Sequence, residues 1–86
     1  MNSRKVVNEN VAITALAFTK NLETYPRRME YQGRTYNFIE AGLRCLVKHK
    51  ERIAQIVTMS DEEADYQLKY DQVNANWTLL AITSRG

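Results

Sequence analysis

The segment Arg28-Met29-Glu30-Tyr31-Gln32-Gly33-Arg34-Thr35-Tyr36-Asn37-Phe38 constrains the fold of this chain most. Gly33 takes positive φ at little cost, so Gln32-Gly33 suits a two-residue hairpin loop. That loop pairs Tyr31 with Arg34, Glu30 with Thr35 and Met29 with Tyr36. Met29, Tyr31, Tyr36 and Phe38 then share one face, while Arg28, Glu30 and Asn37 lie on the other. One apolar and one polar face is what a half-buried antiparallel pair needs. Pro26 stands before the strand, where its missing N–H costs little.

A second hairpin is expected near the C-terminus. Tyr66, Leu68 and Tyr70 alternate with polar residues, as in a strand with one buried face. Residues 71–76 are rich in turn formers, and 77–82 read as a strand that is apolar on both faces after Thr78. Between the two hairpins the pattern is double. Ile39, Leu43, Leu46/Val47, Lys50 and Ile53/Ala54 fall near helical spacing. As a hairpin, a four-residue loop from Lys48 to Glu51 pairs Val47 with Arg52, Cys45 with Ala54 and Leu43 with Ile56. Gly42 weakens a helix but suits a bend in a long strand. Residues 11–22 likewise fit either a helix or a strand. Residues 1–9 read as a flexible polar lead-in, and 83–86 as a C-terminal tail.

The order Tyr25-Pro26-Arg27-Arg28-Met29-Glu30-Tyr31, Gly33-Arg34-Thr35-Tyr36, Tyr66-x-Leu68 and Trp77-x-Leu79 resembles small uncharacterised bacterial β domains. These share a Gly-Arg-x-Tyr hairpin and a final Trp-x-Leu strand. The resemblance spans residues 25–82 and implies a curved antiparallel meander. It favours the hairpin over residues 43–59 and brings no catalytic residue with it. The expected fold is therefore all-β, one domain over residues 10–82. It has five or six antiparallel strands in a curved meander or partly closed barrel. The alternative is α+β with a helix at about 40–54. The expected core is Phe18, Met29, Tyr36, Phe38, Leu43, Cys45, Val57, Leu68, Trp77, Leu79 and Ile82.

Composition speaks mainly against catalysis. The only histidine, His49, lies between two lysines, whose charge disfavours its protonated form. The only cysteine, Cys45, sits among apolar residues as a small core group, and alone it forms neither an internal disulfide nor a zinc cluster. The acidic run Ser60-Asp61-Glu62-Glu63-Ala64-Asp65 lacks the central glycine and terminal glutamate of a calcium loop, and reads as a solvated turn. Nothing places Glu30 and Glu40 together in a cleft as a carboxylate pair. We expect no enzyme activity, cofactor or metal. No apolar stretch approaches the roughly 20 residues that span a bilayer. There is no signal-peptide pattern, so a cytoplasmic, membrane-independent protein is expected.

Charge leaves one positive signal. Residues 1–60 hold ten Lys/Arg against five Asp/Glu, and residues 61–86 hold two against five. Arg27, Arg28, Arg34 and Arg44, interleaved with Tyr25, Tyr31 and Tyr36, are candidate binding residues, since arginine forks grip phosphate and aromatics stack bases. Arg34 is also placed to lie over Tyr31 as a cross-strand pair. The edges of a small open sheet recruit strands, so a protein partner or a second copy is the leading expectation. Nucleic acid is the alternative.

Overall fold

The computed structural model describes residues 3–18 and 23–85, apart from the side chains of Leu43 and His49. These residues form seven strands: β1 (Ser3–Phe18), β2 (Thr24–Tyr31), β3 (Arg34–Asn37), β4 (Glu40–His49), β5 (Arg52–Ser60), β6 (Ala64–Asp71) and β7 (Asn76–Ser84). All neighbours are antiparallel, in the order β3-β2-β1-β7-β6-β5-β4. The sheet is open and strongly curled into a half-barrel.

The turns show how the sequence sets this meander. Gln32 and Gly33 both adopt positive φ (51° and 74°), and the β2–β3 register is the expected one. Both φ values suit a two-residue hairpin whose twist matches its strands. Between β5 and β6, Asp61 Oδ1 accepts the N–H groups of Glu63 (2.8 Å) and Ala64 (2.9 Å). Between β6 and β7, Asp71 Oδ1 accepts those of Val73 (2.9 Å) and Asn74 (3.3 Å). Short acidic side chains thus replace the backbone partners that a turn removes.

Strand β1 makes the curl. Its first part pairs with β7 from Ser3↔Ser84 to Val11↔Trp77, and its second part pairs with β2 from Ala12↔Glu30 to Phe18↔Thr24. The β7 ladder shifts between Val6 and Glu9, where Asn8 has φ 54°. The β2 ladder shifts between Ile13 and Leu16. Such bulges bend a strand and increase its twist. They carry β2 and β3 over the face of the larger sheet.

The core lies inside the curl. Met29, Phe38, Val57, Met59, Ala64, Tyr66, Leu68 and Leu79 form one buried cluster. The Tyr66 ring stands 5.2 Å from Phe38 and 5.5 Å from Tyr36, joining β6 to the β2–β3 flap. Its hydroxyl donates to Asp61 Oδ2 at 2.8 Å. Burial and that carboxylate push the Tyr66 phenol well above its ordinary pKa.

Several expectations need correction. The strand count is seven, not five or six, because the polar segment from Ser3 pairs with β7. A backbone ladder does not require apolar side chains, so residues 3–9 are strand where a lead-in is predicted. Thr83 and Ser84 likewise close β7. Residues 40–54 are not a helix, since β4 and β5 pair as a hairpin. Its register differs by two residues from that predicted. Val47 faces Ala54, Cys45 faces Ile56, and a two-residue turn with Lys50 at φ 57° joins the strands. Gly42 does mark a bend: the ladder shifts there, and a Cβ on Gly42 would stand 3.3 Å from the Thr58 carbonyl. Within the predicted core, Cys45 is exposed, because it alternates with inward-directed Arg44. Phe18, the last residue of β1, is 67% exposed. Leu43's side chain lies outside the described residues.

Candidate functional site

Strands β3 and β4 are consecutive in sequence but lie at opposite edges of the sheet. Residues Phe38 and Ile39 cross between them. Phe38 N–H donates to Arg27 O (2.9 Å) and Ile39 N–H to Ser60 O (2.8 Å), tying the two edges together. Because β3 pairs only with Arg28–Tyr31, the start of β2 has no strand on its outer edge. A seam is left between that stretch and β4.

Arg44 bridges the seam. Its guanidinium lies 4.0 Å from the centroid of the Tyr25 ring, and Nη2 donates to the Thr24 carbonyl. Its Nε is shielded from solvent and has no hydrogen-bond partner. Desolvation of a cation is costly, and the Tyr25 π-face offsets part of that cost. Arg44 thus acts as a strut between the edges.

The other candidate arginines are held at different places. Arg28 donates from Nε to Thr14 Oγ1 (2.8 Å) and from Nη2 to Thr14 O (3.2 Å). It satisfies the carbonyl that the β1 bulge leaves free of the ladder. Arg34 lies 4.8 Å from the centroid of Tyr36 and 3.3 Å from Glu63 Oε2. The expected partner, Tyr31, instead donates its hydroxyl to Glu9 Oε2 at 2.5 Å, and this hydrogen bond raises its pKa. Arg27 is exposed, and its side chain has no hydrogen bond or ion pair among the described residues. The four arginines are therefore not gathered on one face, and Arg28, Arg34 and Arg44 are occupied within the fold.

The acidic run is likewise engaged. Asp61 caps its turn, Glu63 meets Arg34, and Asp65 accepts from Ser60 Oγ (2.7 Å) and Arg85 Nη2 (2.7 Å). Among the described residues no group of three or more His, Cys, Asp and Glu is arranged to hold a metal. The side chain of His49 lies outside the description. The Ser60 hydroxyl, and then Arg85, hold Asp65 below the usual carboxylate range. A carboxylate depressed on folding contributes stability above its unfolded pKa and loses it as the pH falls through the folded value. Asp65→Asn is therefore less stable than the parent at neutral pH. The gap should narrow below about pH 4, in urea unfolding followed by circular dichroism. A gap constant with pH would remove Asp65's charge from the account.

What the sequence reading leaves out is the far half of the β4–β5 hairpin. Leu46 is 68% exposed, Ile53 49% and Val47 43%. Leu46 faces Gln55 and Ile53 faces Lys48, so Leu46 and Ile53 share one face of the hairpin; Cys45 and Val47 share the other. The predicted register sets Leu46 directly opposite Ile53, whereas in the structure they are diagonal neighbours; what the alternation does not show is that both remain exposed at this end of the hairpin. Among the described strands, β4 pairs with β5 alone, so one side of its ladder is open.

Comparison with family models, with curated proteins and with solved structures finds no match to this chain.

Proposed function

We propose that this protein is a non-catalytic interaction module that associates with a second copy of itself through the free edge of β4. The observation that carries this is a ten-residue edge strand whose hairpin exposes Leu46, Val47 and Ile53 together. Open ladders accept a further strand, and natural edges are usually blunted by charge, proline or cover. Lys48 is the one charged side chain on the described outer half of β4, from Cys45 to Lys48. Apolar residues on both faces of the edge would be buried when a second strand adds.

Sedimentation velocity over a concentration series tests this. The parent should show reversible, salt-tolerant dimerisation. Leu46→Lys with Ile53→Lys should weaken it by about tenfold or more, roughly 1.4 kcal/mol, without changing the circular dichroism spectrum. A protein that stays monomeric throughout contradicts self-association. Nucleic-acid binding would instead show as oligonucleotide affinity that falls steeply with salt. The internal engagement of Arg28, Arg34 and Arg44 gives that reading less support.

A further inference from the structure

We propose that the open end of the half-barrel binds a neutral saccharide. A cleft of about 600 Å³ lies there, between the second part of β1 and the ends of β5, β6 and β7. This is within the range of small-molecule sites, roughly 300–1,000 Å³. One wall is the cross-strand pair Tyr70 and Trp77, whose ring centroids are 5.0 Å apart at 46°. Val11, the ladder partner of Trp77, and Ile13 of β1 extend the lining with apolar surface. Gln55, Gln72, Asn76 and Thr24 add three amides and a hydroxyl to the same lining.

Among the described residues none of these polar side chains makes a hydrogen bond, and neither do Tyr70 Oη and Trp77 Nε1. The cleft sets unpaired donors and acceptors beside the half-buried Tyr70 and Trp77 rings. None of the described lining residues is charged, which favours a neutral ligand. A purely apolar chain would strand the amides without partners on burial, which is costly. A neutral ring with hydroxyls at its rim and C–H groups on its face answers both surfaces. Amides donate and accept at once, matching hydroxyls that do the same. Aromatic side chains supply the apolar body and a polar tip. Gln55 of this lining is the ladder partner of Leu46, so the variants that test the cleft apart from self-association are those at Gln72 and Asn76, which lie on neither β4 nor β5.

The test uses the full chain and the fluorescence of Trp77, the only tryptophan. Glucose, galactose, N-acetylglucosamine and their short oligomers are titrated, with saturation-transfer NMR as a second readout. At least one probe should give a saturable change in Trp77 emission at millimolar concentration. Gln72→Ala and Asn76→Ala, both at the β6–β7 turn, should each weaken it about fivefold, as expected for one lost hydrogen bond. Their circular dichroism should match the parent. No response to any of these sugars overturns the proposal. So does a response that both variants leave unchanged, or a stronger response to decanoate than to every sugar.

Discussion

Phe38→Ala should cost about 3–5 kcal/mol, the range for truncating a buried aromatic. Phe38 is 1% exposed and occupies the short crossing between the two sheet edges. Its ring packs on Tyr66, and its N–H holds the Arg27 carbonyl. The cavity left by alanine would open where the flap of β2 and β3 meets the larger sheet. A domain of this size has roughly 5–10 kcal/mol of stability in total, so the variant should be half unfolded well below the parent's midpoint in urea. Phe18→Ala is the control. Phe18 is 67% exposed, and its truncation should change stability by no more than about 0.5 kcal/mol. Both phenylalanines belong to the core by sequence pattern alone, so the pair measures what the curl adds. Equal losses would mean that the flap does not close over Tyr66 as described.

The strut makes the second prediction. Arg44→Ala removes the guanidinium over Tyr25, the donor to Thr24 O and the alkyl stem. We expect a loss of about 2–3 kcal/mol, combining a cation–π contact, a charge-assisted hydrogen bond and packing. Arg44→Met keeps much of the stem while removing the shielded Nε that has no partner. Replacing a desolvated polar group by an apolar one of similar shape is often close to neutral. Methionine should therefore recover at least half of the alanine loss in the same urea experiment. If the two variants are equally destabilised, the charge rather than the stem holds the seam. If neither matters, Arg44 is not a strut.

These two sites also show where the sequence was legible. The β2–β3 register could be read because Gln32-Gly33 has the backbone chemistry of its turn and the flanking apolar residues alternate. The β4–β5 register could not, because Lys50 adopts φ 57° without being glycine or asparagine. Turn chemistry there gives no signal, so the alternation alone does not fix which residues of β4 and β5 face each other, nor that Leu46 and Ile53 stay exposed. The first part of β1 was unreadable for another reason. Its pairing with β7 is a backbone matter, and Ser3–Asn10 carries no steady alternation. Phe18 and Cys45 were misplaced because burial depends on how far each strand reaches along the curl and which way its register turns. The arginines are plain in the sequence as charge. Their partners, Thr14, Glu63, Thr24 and Tyr25, come from curling the sheet, which periodicity does not encode. The cleft is less legible still. Gln55, Gln72 and Asn76 are ordinary polar residues until the half-barrel sets them beside Trp77.

The central claim, that β4 is the docking edge, is tested most directly by hydrogen exchange at its own amides. NMR-detected exchange would be followed for Ala41 to Lys48 at several protein concentrations. A second copy added along β4 protects those N–H groups that β5 does not bond. Their exchange should slow as concentration rises, while amides of β7, inside the sheet, stay unchanged. In the Leu46→Lys, Ile53→Lys variant the β4 amides should exchange fast at every concentration. Exchange at β4 that is fast and independent of concentration in the parent would contradict the account.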